Sequence, residues 1–150
     1  MTSDRWRVFL DTNVLIAGLA STTGASAAIL DLGEAEEILI VLSRQVLVEA
    51  DRTFAAKFPH LTERFRLWMK NLAPLLADDP KPKAVQEAAH IIHPNDAPIL
   101  AAAKQEKVDY LVTLNTRHFM TSKVQTYYGR PVVTPAEFLM AFRQFWENQI

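Results

Sequence analysis

The chain has 150 residues, 49% of them hydrophobic, and its 16 Lys and Arg against 17 Asp and Glu leave a formal net charge of −1. This length favours one domain spanning 1–150, with ample apolar material for a core, and near-neutrality excludes a general polyanion or membrane-surface coat, so any nucleic-acid contact has to be local. With no cysteine, disulfide staples, thiolate catalysis and cysteine-based zinc sites are excluded. The opening MTSDRWRVFLDTN lacks the apolar core of a signal peptide, and no apolar run approaches the roughly 20 residues of a spanning helix. The expectation is a soluble, unprocessed, cytoplasmic protein with no membrane role.

Short apolar runs alternate with stretches of helical period, the pattern of α/β layers on a mostly parallel sheet. Arg7 to Asp11 reads as a first buried strand, followed by a helix containing Leu15 and Ile16 and another through Ala27 to Leu32. EILIVLS, residues 37 to 43, is the second strand. From about Arg44 the residues Val46, Leu47, Ala50, Phe54 and Phe58 recur on one helical side until Pro59 breaks the run. Leu61, Phe65, Trp68 and Leu72 mark a further amphipathic helix, and ADDPKPK (77–83) is the clearest loop. Ala84 to Ile92 predicts a helix, and HPNDAP a turn into another through Lys104, capped by Asn95 or Asp96 with Pro98 in its first turn. DYLVTLN (109–115) and PVV (131–133) predict two strands. A last helix carries the stripe Phe138, Leu139, Phe142, Phe145 and Trp146.

The informative polar residues fall at strand ends and helix entries, where open α/β sheets leave a crevice for ligands. Asp11 ends the first strand, Asn115 ends a later one, Asp96 opens a helix, and Glu49 lies at the rim of a buried helix face. Each has an ordinary structural explanation taken singly: a turn former, a loop residue, a helix cap and a solvated helix residue, respectively. Jointly those explanations require several such residues to meet at one end of one sheet by accident. Carboxylates gathered together repel one another unless a cation joins them, and hard oxygen donors suit Mg²⁺ or Mn²⁺. Such a centre can activate water, hold a phosphodiester and neutralise the departing oxygen.

In this order the segments FLDTNVLIAGL, LSRQVLVEA, NDAPILAAA and YLVTLNTRHF resemble the four motifs of the PIN-domain family, especially the small prokaryotic VapC-like ribonucleases that act as toxins of toxin–antitoxin pairs. The resemblance covers nearly the whole chain. It implies a three-layer α/β/α sandwich around a mostly parallel central sheet and metal-dependent hydrolysis of RNA phosphodiester bonds. It further implies that Asp11, Glu49 and Asp96 bind Mg²⁺ or Mn²⁺, that Thr113 and Asn115 position water or phosphate, and that an antitoxin protein is a partner. Thr12 and Asn13 are polar companions of Asp11, and Arg117, just past Asn115, is the best placed phosphate contact among Arg44, Arg52, Lys57, Arg117, Lys123 and Arg130. The chain departs from the family pattern in its fourth motif, where Asn115 and His118 stand in place of a further acid. One tightly held ion with a weaker, substrate-assisted second is therefore the expectation.

Other enzyme classes fail on particular residues. DTNVLIAG offers Gly18 alone where a dinucleotide-binding turn needs a glycine fingerprint, and Asn13 stands where an aspartyl phosphatase needs its second acid. His90 and His93 lack the further donors of a zinc site. The aromatic stripes are read as core or as a homodimer or partner surface. A PIN-like fold kept as a protein-binding module, with weakened or lost catalysis, stays open beside the nuclease, because Asn115 brings no charge.

Overall fold

A computed structural model describes residues 5–150. The chain runs β1 (Arg7–Leu10), α1 (Thr12–Ala20), α2 (Ala25–Glu34), β2 (Leu39–Leu42), α3 (Arg44–Lys57), a 3₁₀ turn (Pro59–Leu61), α4 (Thr62–Leu72) and β3 (Leu75–Leu76). It continues through α5 (Pro82–Ala88), α6 (Ala97–Glu106), β4 (Tyr110–Val112), α7 (Thr116–Phe119), α8 (Ser122–Tyr128), β5 (Val132–Val133) and α9 (Pro135–Glu147). Among the described residues no single helix is long and apolar enough to cross a membrane.

All five strands are parallel, in the order β3-β2-β1-β4-β5. Val8, Phe9 and Leu10 of β1 and Ile40, Val41 and Leu42 of β2 are buried without polar alternation, as strands covered on both faces require. Right-handed crossovers place the helices between β1 and β3 on one face and those between β3 and β5 on the other, giving the expected three-layer α/β/α sandwich. In agreement, α1 to α4 pack among themselves, α9 packs on α2, and α5 packs on α6. The direction of winding reverses between β1 and β4, so the crevice at their carboxyl ends is the topological switch point.

Several sequence-based bounds move, each for a local reason. The strand predicted to include Asp11 ends at Leu10, because the Asp11 side chain turns back to cap α1. Ser43 leaves the second strand likewise, its hydroxyl accepting from the Val46 amide. Within ADDPKPK the loop stops at Lys81 and Pro82 starts α5 in a first turn that needs no donor. That helix ends at Ala88, short of the predicted Ile92. Thr113, Leu114 and Asn115 lie beyond β4, and β3, α7 and α8 answer to no predicted element. The stripe through Phe65 and Trp68 is core, whereas on the last helix Trp6 packs against Phe138, Phe142 and Phe145 and leaves Phe145 partly and Met140 and Trp146 largely exposed.

Gly18 lets α1 and α2 approach: a Cβ there would lie 2.6 Å from Leu30 Cδ1 and 3.0 Å from the Ser26 carbonyl. Gly18→Ala is expected to destabilise the fold by ~1–2 kcal/mol, overpacking outweighing a helix-propensity gain of about 1 kcal/mol. Urea denaturation measures it; a more stable variant would show that the helices separate freely.

Candidate active site

The register Leu10↔Val112 aligns β1 and β4 so that the next residues, Asp11 and Thr113, emerge side by side. The Asp11 amide still donates to the Val112 carbonyl at 3.0 Å, and the Thr113 amide to the Val133 carbonyl at 2.9 Å. Backbone pairing therefore holds both residues at the mouth of the switch point. There the Thr113 hydroxyl donates to Asp11 Oδ2 at 2.7 Å, while Asp11 Oδ1 accepts from the Thr12 amide at 2.8 Å. Thr113 Oγ1 in turn accepts from the Asn115 amide at 2.9 Å.

Asn13 braces the two strand ends. Its Nδ2 donates to Asp11 Oδ2 at 3.3 Å and its Oδ1 accepts from the Leu114 amide at 3.1 Å. Glu49 is half-buried on α3 rather than solvated, and both of its carboxylate oxygens are held. Thr12 Oγ1 donates to Oε1 at 2.8 Å, and Gln45 Nε2, one turn earlier on α3, donates to Oε2 at 2.9 Å.

Asp96 occupies the cap position of α6, yet its side chain makes no capping bond, contrary to the expectation that Asn95 or Asp96 would cap this helix. Instead Asp96 Oδ2 lies 2.7 Å from His118 Nδ1. Asn115 caps α7 through Oδ1, which accepts from the His118 amide at 3.3 Å. The His118 ring stacks on His93 with centroids 5.2 Å apart and planes 4° from parallel. Arg117 is exposed on α7 and pairs with none of the acids. His90 lies outside the site, its amide donating to the Glu87 carbonyl and its own carbonyl accepting from Lys123.

The electrostatics match this layout. Burial pushes the Asp11 carboxyl from its ordinary 3.8 up to about 6, hydrogen bonds from Thr113 and Thr12 oppose that rise, and negative charge on Asp96 and Glu49 adds to it. Asp11, only 5% exposed, thus senses the charge of both other acids. Among the described residues neither Asp11 nor Glu49 forms an ion pair with Lys or Arg. Nor do three His or acidic side chains there close into a preformed metal cage. The arrangement is a set of like-charged oxygen donors, paired among the described residues with no Lys or Arg, which fits a hard divalent cation better than a proton relay.

Gln45 and His118 carry this geometry and are assigned no part by the sequence reading, and Thr12, expected as a companion of Asp11, also holds Glu49. The i−4 spacing of Gln45 from Glu49 is a legible signal. The contacts of Thr12 and His118 span 37 and 22 residues and leave no local trace.

Residues 7–117 match the PIN domain family. No curated protein matches the chain at a significant level. Among solved structures the chain is similar to VapBC2 from Rickettsia felis bound to a DNA fragment from its promoter, with TM-score 0.63 and 18% identity over 85% of this chain and 98% of that one. It is also similar to FitAB bound to the IR36 DNA fragment, with TM-score 0.58 and 23% identity over 85% of this chain and 94% of that one. At these identities the likeness speaks for the fold, and the family match covers all four acid- and amide-bearing motifs up to Arg117. This chain belongs to the PIN-domain family.

Proposed function

We propose that the protein is a divalent-metal-dependent endoribonuclease, the toxin component of a toxin–antitoxin pair, with residues 1–150 acting as one nuclease domain. The observation that carries the reading is the buried Asp11 carboxylate, flanked by Glu49 and Asp96 and lacking any cationic partner among the described residues. In this reading Asp11, Glu49 and Asp96 supply oxygen ligands to Mg²⁺ or Mn²⁺. Thr113 holds Asp11 in place, Thr12 and Gln45 hold Glu49, and Asn115 sets the turn that carries Thr113 and α7 past the site. Asn13 and Arg117 are the substrate contacts, Arg117 with the freer side chain for a phosphate. The bound ion supplies Lewis-acid charge at the phosphodiester and lowers the pKa of water beside it. Bringing three carboxylates to one crevice before RNA arrives lowers the reorganisation needed at the moment of cleavage.

The antitoxin in this reading is a small protein partner, as VapBC2 and FitAB are two-component assemblies by name. Met140 and Trp146, exposed on α9, are the surface offered to a homodimer, which sedimentation would reveal. A cytoplasmic location is part of the same proposal.

The test is cleavage of single-stranded RNA with Mn²⁺, expected to cease on chelation and return on metal addition. Glu49→Gln and Asp96→Asn are each expected to lose ~10–100-fold in cleavage. The protein-binding module remains as a second reading because the amide oxygen of Asn115 is spent on its own helix, where the family pattern has an acid. Calorimetry separates the two: no Mn²⁺ binding at about millimolar metal favours the module, and uptake accompanied by cleavage favours the nuclease.

A further inference from the structure

We propose that His118 is the positioning residue of Asp96, donating Nδ1–H to one carboxylate oxygen and so presenting the other to the metal; the proposal rests on the metal-dependent reading above. The first support is where Asp96 spends its side chain. At the entry of α6 its default use would be to cap the helix, and it makes no such bond. Its Oδ2 goes to His118 instead, at 2.7 Å, and among the described residues no donor is paired with Oδ1.

The second support is the direction of the proton. His118 Nδ1 has two neighbours, Asp96 Oδ2 at 2.7 Å and Asn115 Nδ2 at 3.4 Å. The amide of Asn115 is oriented by its oxygen, which accepts from the His118 backbone, so its Nδ2 can only present hydrogens. If Nδ1 were an acceptor it would take a weak bond from Asn115 and set a lone pair against a carboxylate. As a donor it makes a short, charge-assisted bond, which is the stronger choice.

The third support is that the ring itself is held. His93 lies flat against it, and His93 Nδ1 accepts from the Asn95 amide at 3.1 Å, which sets the second ring. A path therefore runs from the turn before α6, through two stacked imidazoles on different elements, back to the acid that opens α6. Donors placed behind metal-binding side chains orient them, and their loss usually costs ~10–100-fold in metal affinity. A hydrogen-bond donor in the fourth motif thus serves the site by arranging a carboxylate already present rather than by adding another.

Two substitutions divide the ring from its donor. His118→Phe keeps the stack on His93 and removes the N–H, while His118→Asn removes the stack and sets an amide N–H where Nδ1 was. In Mn²⁺ calorimetry on the full chain, His118→Phe is expected to weaken binding ~10–100-fold and His118→Asn to stay within about 3-fold of the parent. Long-range ¹H–¹⁵N spectra of the metal-free parent should show hydrogen on Nδ1, a readout independent of catalysis and of any variant's folding. Parent-like affinity in His118→Phe, equal weakening in both variants, or a ring whose only hydrogen is on Nε2 overturns the proposal and leaves the metal reading standing. A parent that takes up no Mn²⁺ overturns both.

Discussion

Asp11→Asn is expected to make the metal-free protein more stable at neutral pH while reducing RNA cleavage by ~10²-fold or more. The two effects have one origin. In the folded chain the Asp11 carboxyl titrates near about 6 against 3.8 for the free group, mainly because it is buried. Between those values the folded state holds a proton that the unfolded state has released, so stability falls as pH rises through the window. Below it both states are protonated and nothing is lost; above it the full cost is present. A gap of about two units corresponds to ~3 kcal/mol. Asparagine carries no charge to desolvate, but its amide faces the donors of Thr113 and Asn13, which returns about 1 kcal/mol. The net gain is ~1–2 kcal/mol, measurable as urea midpoints in chelator at about pH 8 and absent at about pH 4. If parent and variant show the same pH dependence, Asp11 is not the strained group described here. Mn²⁺ should raise the melting temperature of the parent and leave the variant unmoved.

Thr113→Val should be the most damaging conservative change near the site. The hydroxyl is fully buried, donates to Asp11 and accepts from the Asn115 amide. Valine keeps the volume but leaves a buried carboxylate short of a donor and a backbone N–H short of an acceptor, together ~2–4 kcal/mol. Removing that donor also pushes the Asp11 carboxyl higher still, since the bond from Thr113 lowers it in the parent. Cleavage should fall ~10–100-fold, and Thr113→Ser should recover most of both losses. Thermal unfolding and RNA cleavage of the two variants check this, and a Thr113→Val protein as stable as the parent would contradict the burial argument.

How far the sequence discloses this site depends on the range of the interaction concerned. The β1, β2 and β4 strands were visible as continuous apolar runs, and Asp11 was visible as an acid placed where such a run stops. By contrast, β3 has only Leu75 and Leu76, and its pairing is imposed by its neighbour β2 rather than by any pattern of its own. Taken singly, Asp96 reads as a helix cap because capping is the local default, and only the tertiary approach of α7 turns its side chain to His118. Glu49 taken singly reads as solvated for the same reason, since Thr12 reaches it from 37 positions away. The departure at Asn115 and His118 was legible as a difference in residue type. What it accomplishes became legible only when the α6 entry and α7 were seen side by side.

The pairing of β1 with β4 has a consequence for how the protein is made. The bond between Thr113 and Asp11 joins groups 102 positions apart. During synthesis, a chain that has emerged only as far as α6 carries all three acids but has no second wall for the crevice, and Asp11 has neither its hydroxyl donor nor its strand partner. Contacts of such long range form late. The crevice is therefore completed only after most of the polypeptide has left the ribosome.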